Sequence, residues 1–575
     1  MVAVAEQTKR RLTIETVDLA ADTTAIRCLD WDRDRFDIEF SLENGTTYNS
    51  FVIAADKLTL VDTSHAKFQQ LYLDTLKGLI DLSQLEYLVV SHTEPDHSGL
   101  IKDVLALAPQ VTVVGSKVAL QFLADLLHQP FQQLIVKNGD RLDLGQGHEL
   151  EFVIAPNLHW PDTIFSYDHG TQILYTCDAF GMHYCDDHTF DEDLELIEGE
   201  YKTYYDCLMG PNARSVLSAL KRMGELPEIK TIATGHGPLL QENRVELVER
   251  YRQWSQDQAK AMTTVAFFYQ SGYGYSDQLA QAIAQGIAKT GVATEMLDLA
   301  TADPQEVREL VGMASGIVLG TPANSGEFAS NAQTALQTIL AAIQPKQSIG
   351  LFESGDSESI AIYPLVNQFR DLGLTPIFPP ILVKEAPSEV TYQLCEEAGT
   401  DLGQWLMRDR TVKQMKALDT ELDKALGRIS GGLYIITAKK GEVSSAMLAS
   451  WVSQASFEPL GVTIAVAKDR AIEALMHVGD KFTLNILEEG NYQLLMRHFL
   501  KRFPPGADRF AGVKVYPAQN GCPILADALA YLECEVVSRM DCHDHWLLYS
   551  SIDTGRVSKM DALTAVHHRK VGNHY

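Results

Sequence analysis

The ten residues Ser91–Leu100, SHTEPDHSGL, place four potential metal ligands, His92, Glu94, Asp96 and His97, within six positions. They follow directly on the apolar run Leu85–Val90, whose length and β-branched character predict a buried strand. Ligands at the end of a strand are held by the sheet behind them, and Pro95 fixes φ inside the cluster. Imidazoles and carboxylates this crowded repel or compete unless a cation holds them. Three further candidates stand in the same context: His159 in APNLHWPDT after the strand-like LEFVIA, Asp178 in ILYTCDAF, and His236 in IKTIATGHGP. A single histidine is usually a core or surface residue, so the reading rests on the set. Four histidines and three carboxylates are too many for one tetrahedral zinc and suit two metals sharing a carboxylate. No thiolate is among them, which argues against iron–sulfur clusters and leaves non-haem iron, manganese or zinc.

The pattern H-x-[E/H]-x-D-H with downstream His, Asp and His resembles the metallo-β-lactamase fold, an αββα sandwich. Its hydrolytic members normally carry histidine where this chain has Glu94. That exchange, together with HWPD and GHGP, resembles the flavodiiron proteins. The resemblance implies one iron on His92, Glu94, His159 and Asp178, and a second on Asp96, His97, Asp178 and His236, with Asp178 bridging. An anionic oxygen stabilises a ferric ion better than a neutral imidazole does, which serves a redox site and does little for a Lewis-acid hydrolase.

Beyond about residue 258 the text changes. TTVAFFYQSGYGYSDQLAQAIAQGIAKTG reads strand, Gly-rich loop, helix, with Leu279, Ile283 and Ile287 as the buried stripe. The loop Ser271, Gly272, Tyr273, Gly274, Tyr275 and Ser276 offers N–H groups and hydroxyls at a helix N-terminus, suited to a phosphate. It contains neither G-K-[ST] nor G-x-G-x-x-G. Two further loops, in GIVLGTPANSGEF and SIGLFESGDSES, each follow an apolar strand. In a doubly wound parallel sheet such loops gather at the carboxyl ends of the strands and flank a flat ring. The block resembles flavodoxin, which implies FMN. The phosphate would sit on 271–276 and the isoalloxazine between Thr321, Pro322, Ala323, Asn324, Ser325 and Gly326 on one side and Ser354, Gly355 and Asp356 on the other.

The charged stretch RDRTVKQMKALDTELDKALGR reads as a linker helix, after which β-rich text returns. The segment from Leu426 to Met476 resembles the split β-barrel of NAD(P)H:flavin oxidoreductases on Ser450, Trp451, Ser453, Gln454 and Ser456, then Lys468, Asp469 and Arg470. Ser450 and Ser456, an even number of residues apart, would line one face of an extended segment. Lys468 and Arg470 would neutralise a flavin phosphate or a nicotinamide nucleotide. This implies a second flavin, FMN or FAD. The expected division is 1–258 for the di-iron domain, 259–408 for the FMN domain, 409–423 for the linker helix and 424–575 for the flavin reductase-like domain.

Composition supplies the exclusions. A formal net charge of −28 repels phosphate backbones and anionic headgroups, so nucleic acid and membranes are not expected partners. The eight cysteines include no C-x-x-C pair and read as buried reduced thiols. The N-terminus has no apolar signal region and no run spans a bilayer, so a cytoplasmic chain is expected. A tight hairpin is expected across Asn44-Gly45.

Hydride arrives in electron pairs and iron accepts single electrons; flavin handles both. The resemblance, which covers essentially the whole chain, therefore implies an NAD(P)H:oxygen oxidoreductase that reduces O2 to water and drains excess electrons to protect photosystems. It further implies a head-to-tail homodimer or a hetero-oligomer with a paralogue. NADH, NADPH and a protein such as ferredoxin stay open as donors. Nitric oxide reduction at the same centre, and a zinc hydrolase fused to flavin domains, are the alternatives.

Overall fold

The computed structural model describes residues 11–569, apart from 34, 37–39, 43, 261–262, 271–274, 301, 322–328, 355–361, 375, 415–420 and 502. Strands and the longer helices are numbered in chain order.

Two large sheets make up most of the first block, each in sequence order. The first holds β1 (Leu12–Ala20), β2 (Thr23–Asp30), β3 (Thr46–Ile53), β4 (Leu58–Val61), β5 (Leu85–Val89), β6 (Thr112–Gly115) and β7 (Gln132–Ile135). The second holds β8 (Arg141–Gly145), β9 (His148–Ile154), β10 (Ile164–Asp168), β11 (Ile173–Cys177) and β12 (Thr231–Thr234). Their facing sides interdigitate through Ala25, Phe51, Val89 and Val114 against Phe152, Ile164, Tyr175 and Ala233, all buried. Helices α1 (Gln69–Leu79) and α2 (Lys117–Leu127) cover the outer face of the first sheet with Tyr72, Leu76, Leu120 and Leu123. Helices α3 (Leu194–Tyr204), α4 (Ala213–Met223) and α5 (Arg244–Ala259) cover the second with Tyr201, Val216, Leu220 and Tyr251. The result is an αββα sandwich. A π-helical segment, Tyr205–Met209, continues directly from α3.

One turn expectation fails. Thr46–Ile53 pairs antiparallel with Thr23–Asp30, Thr46 opposite Asp30, rather than folding back across Asn44-Gly45. The long β2–β3 pairing buries both strands almost completely, a larger apolar gain than a surface hairpin offers.

The second block is a five-stranded, wholly parallel sheet. Its strands β13 (Thr264–Tyr269), β14 (Ala293–Asp298), β15 (Gly316–Gly320), β16 (Ser348–Ser354) and β17 (Ile381–Val383) lie in the order β14-β13-β15-β16-β17. The reversal at β13 is that of a doubly wound fold. Helices α6 (Ser276–Ala288) and α10 (Glu389–Gln414) cover one face, and α7 (Pro304–Met313), α8 (Ala329–Ala342) and α9 (Ile362–Asp371) the other. Leu279, Ile283 and Ile287 are the buried stripe of α6.

Helices α6 and α10 cross at glycines. A Cβ on Gly286 would stand 2.1 Å from the Glu396 carbonyl oxygen, and one on Gly399 would stand 2.0 Å from that of Ile283. Backbone therefore meets backbone with no side chain between.

In the third block β18 (Tyr434–Lys440), β19 (Val443–Ala449), β20 (Val452–Phe457), β21 (Leu460–Ala467), β22 (Lys481–Ile486), β23 (Ala530–Cys542) and β24 (His545–Val557) form one antiparallel sheet, ordered β19-β18-β22-β23-β24-β21-β20. It curls around Ile436, Ile464, Val466, Leu484, Val536 and Leu548, and the chain neighbours β19 and β20 are its two edges. This is the split β-barrel.

The stretch expected to be a separate linker helix begins as the C-terminal part of α10, which runs unbroken to Gln414. Before that point α10 is an interface. Tyr392, Cys395 and Leu402 face the parallel sheet, and Leu394 reaches the barrel core. Glu397 Oε1 and Asp401 Oδ1 each accept from the Arg509 guanidinium at 2.6 Å, and all three side chains are buried. Gln393 donates to Asp480 at 2.8 Å. Lys289, at the C-terminal cap of α6, joins Glu396 to Glu473, which also pairs with Arg539. Burial alone would lower Arg509, but Glu397 and Asp401 outweigh it and hold the guanidinium above its ordinary value.

The eight cysteines are free thiols. Six are buried, Cys207 is half-buried, and Cys542, at the end of β23, is exposed, contrary to the uniform burial expected.

Candidate metal and flavin sites

The strand ends β5, β11 and β12 and the loop after β9 converge on one buried pocket. His92, Glu94, Asp96 and His97 line one wall from the loop and short helix after β5. Asp178 follows β11 and His236 follows β12, adjacent parallel strands. All seven predicted ligands are at most 7% exposed, and their ligating atoms fall into two groups. His92, Glu94, His159 and Asp178 form one, and Asp96, His97 and His236 the other, each within 4.8 Å.

Asp178 joins the two. Its Oδ1 lies 3.0 Å from His97 Nε2 and 3.2 Å from His236 Nε2. Its Oδ2 lies 3.5 Å from both His92 Nε2 and His159 Nε2. Glu94 Oε2 stands 3.2 Å from His92 Nε2 and 2.8 Å from His159 Nε2. Asp96 reaches His97 Nε2 at 3.5 Å through Oδ1 and His236 Nε2 at 3.2 Å through Oδ2. Every imidazole thus turns Nε2 inward.

The outward nitrogens are held from outside. His92 Nδ1 meets Asp162 Oδ1 at 2.9 Å, and Asp162 is itself fixed by the Thr93 N–H at 2.8 Å. His236 Nδ1 donates to the Thr47 carbonyl at 2.6 Å. His159 Nδ1 meets Gln281 Nε2 at 2.9 Å. Such outer partners select the tautomer and orientation of a ligating histidine.

The charges are mutually dependent. Burial would raise Asp178, but His97, His159 and His236 outweigh it and hold the carboxyl well below its usual range. Burial would lower His159 and His236, yet their carboxylate neighbours raise each to about 10. Asp96 Oδ1 and Oδ2 and Asp178 Oδ2 are buried without a well-formed hydrogen bond among the described residues. Buried, unsatisfied carboxylate oxygens facing imidazole Nε2 atoms are what a pair of divalent cations would satisfy. The residues present therefore fit two metals. Cys177 also stands within 4.8 Å of His97 and Asp178, and burial pushes its thiol well above the ordinary value.

Sequence reasoning missed Tyr204, Asp162 and Gln281. The Tyr204 hydroxyl, fully buried at the end of α3, donates to Asp178 Oδ1 at 3.0 Å. Only the depth of α3 in the aromatic core gives it away, which a linear pattern does not show. Tyr204→Phe is expected to slow turnover about tenfold, the worth of one hydrogen bond to a charged group, with metal content unchanged. Substrate uptake alongside metal analysis checks it; unaltered turnover would count against the contact.

The residues expected to contact flavin are seen in part. Tyr275 and Ser276 start α6, and Ser276 Oγ lies 2.7 Å from Ser354 Oγ, bringing the first and third loops together. The Thr321 N–H donates to the Phe352 carbonyl at 3.1 Å. Ser271, Gly272, Tyr273 and Gly274, Pro322 to Gly326, and Gly355 and Asp356 lie outside the described residues.

In the barrel, Ser450 precedes β20 and is buried with no hydrogen bond to Oγ among the described residues, while Ser453, Gln454 and Ser456 lie along the edge strand. A register shift between Gln454 and Ser456 breaks the alternation on which a shared face of Ser450 and Ser456 depended. Trp451 lies tilted against His545, ring centroids 5.1 Å apart, and under Arg569 at 4.9 Å. Lys468 pairs with Asp541 at 2.6 Å and lies over the Trp546 ring, and Arg470 Nε is 3.5 Å from Asp469. His545 and Arg569 were not foreseen; they reach Trp451 from β24 and the C-terminal segment.

Comparison with known proteins agrees with this architecture. Residues 46–237 match the ODP family beta lactamase, 267–399 match flavodoxin, and 426–573 match the flavin reductase like domain. The chain is 70% identical to diflavin flavoprotein A 3 of Nostoc sp., covering 100% of each. It is 65% identical to diflavin flavoprotein A 1 of Synechocystis sp., covering 99% of each. Among solved structures, a metal-soaked flavodiiron core from Synechocystis sp. superposes with a TM-score of 0.65 at 38% identity, covering 69% of this chain and 99% of that one. With full-length relatives at this identity and the three modules in this order, the chain belongs to the diflavin flavoprotein A family.

Proposed function

We propose that the chain is an NAD(P)H:oxygen oxidoreductase that reduces O2 to water at a di-iron centre and serves as an electron sink in photoprotection. The observation that carries this reading is Asp178, whose two oxygens each face a separate set of imidazoles. Two iron ions and FMN, when bound, would supply the four electrons that O2 reduction needs.

In this reading His92, Glu94, His159 and Asp178 hold one iron, and Asp96, His97, Asp178 and His236 the other. Glu94 supplies the extra anionic oxygen that favours the ferric state. Asp162 and the Thr47 carbonyl keep His92 and His236 turned with Nε2 inward. Tyr204 holds a proton at Asp178 Oδ1 on the inner wall of the pocket. Ser276 and residues 271–275 would hold the FMN phosphate at the N-terminus of α6. Trp451, with its neighbours His545 and Arg569, offers a flat aromatic surface and a cation to the second flavin or to the nicotinamide nucleotide. No helix among the described residues is long and apolar enough to cross a membrane. The head-to-tail homodimer, the hetero-oligomer with a paralogue and a ferredoxin donor are proposed on family resemblance.

The test is anaerobic reduction of the metal-loaded protein by NADH or NADPH, followed by an O2 pulse in one arm and nitric oxide in the other. Flavin bleaching, then re-oxidation by O2 without hydrogen peroxide and with little nitric oxide consumed, is the expected result. Preferential nitric oxide consumption would reassign the substrate, and stoichiometric peroxide would overturn water formation.

A further inference from the structure

Among the described residues, three of the four inward-turned histidines have a polar partner at Nδ1, and two of those partners come from the sandwich itself. His92 is held by Asp162 and His236 by the Thr47 carbonyl. His159 is different: its Nδ1 meets the Gln281 carboxamide at 2.9 Å, from a residue 122 positions away on α6 of the parallel-sheet block. We infer that Gln281 is a positioning residue for His159, so that the flavodoxin-like block completes the outer contacts of the metal pocket within one chain. This rests on the proposed function only in taking His159 Nε2 as a metal ligand.

The helix bearing Gln281 has little freedom. Leu279, Ala280, Ile283 and Ile287 are buried against the parallel sheet, and Gly286 is in backbone contact with α10. Gln281 lies five residues beyond Ser276, about 7.5 Å along an α-helix, so one rigid element carries both the proposed phosphate loop and the contact to His159.

The chemistry suits a carboxamide. A metal on Nε2 requires the proton on Nδ1, which must then donate. Gln281 donates through Nε2 to a bare Nδ1 and, turned over, accepts through Oε1 from Nδ1–H. It can thus follow the tautomer of His159 without adding charge. A carboxylate accepts only, and a leucine of similar size does neither.

The full-length protein and its Gln281→Leu and Gln281→Glu variants, each checked for unchanged FMN stoichiometry and circular dichroism, would be titrated anaerobically with ferrous ion against a chelator. Mössbauer spectra of the loaded proteins would follow. Gln281→Leu is expected to weaken the affinity for one of the two ions about 10- to 100-fold and to alter one of two iron signals. Gln281→Glu, which keeps an acceptor for Nδ1–H, is expected to restore affinity. Wild-type affinity and spectra in Gln281→Leu would overturn the inference, as would equal losses in both variants, which indicate packing alone. Where Gln281→Leu loses the fold, Gln281→Asn, one methylene short of reach, takes its place with the same expectation. A wild-type chain that binds two ferrous ions but takes up no O2 would sink the proposed function and leave this inference standing.

Discussion

Asp178→Ala is expected to strip the pocket of metal, leaving less than about one equivalent per chain and reducing O2 uptake more than about 100-fold. Loss of even an outer partner of a ligand costs 10- to 100-fold, and Asp178 offers one oxygen to each half of the pocket. It is also the carboxylate that His97, His159 and His236 share. Asp178→Asn sharpens the test, since it keeps the shape and an acceptor oxygen but not the charge. Metal analysis after gel filtration, with oxygen-electrode assays, reads both variants. Two retained equivalents in Asp178→Ala would mean that the two halves bind independently and that no carboxylate bridges them.

Arg509→Ala is expected to destabilise the seam between the parallel-sheet block and the barrel by about 3–5 kcal/mol, the usual consequence of removing one partner of a buried ion pair. Glu397 and Asp401 would be left buried without their cation, and Ser445, which also contacts the guanidinium, would lose it as well. The seam separates the proposed hydride-accepting block from the rest. NAD(P)H-driven O2 uptake should therefore collapse, while uptake driven by a chemical reductant acting directly on the FMN block persists. Differential scanning calorimetry should show the barrel melting earlier and apart from the sandwich. Arg509→Lys keeps the charge but not the two-pronged geometry and should fall between. Unchanged melting in Arg509→Ala would show that apolar contacts such as Leu394 hold the seam without the ion pairs.

What was legible in the chain was what the local pattern carries. The β5 strand and its crowded candidate ligands share one short stretch, and the three later candidates each follow an apolar strand, so a common sheet edge was readable. The strand–loop–helix of the parallel block was readable for the same reason: α6 shows its buried stripe at 3.6-residue spacing. The outer partners were not. Asp162, Tyr204 and Gln281 act across 70, 26 and 122 residues, and a glutamine on the polar side of an amphipathic helix reads as a solvated position. Glu397 and Asp401 carry no local signal of an interface, because the arginine that pairs with them lies more than a hundred residues on. The turn at Asn44-Gly45 misled because local turn chemistry was set against the stronger pairing of β2 with β3.

The glycine crossing of α6 and α10 has a mechanical consequence. Where two helices touch through their main chains, neither can tilt or slide without carrying the other, since no rotamer stands between them to absorb the movement. The pair thus forms a lever, with the barrel contacts of α10 at one end and, through α6, Gln281 beside His159 at the other. Filling either glycine with a methyl group would wedge the lever apart and let the two ends move out of step.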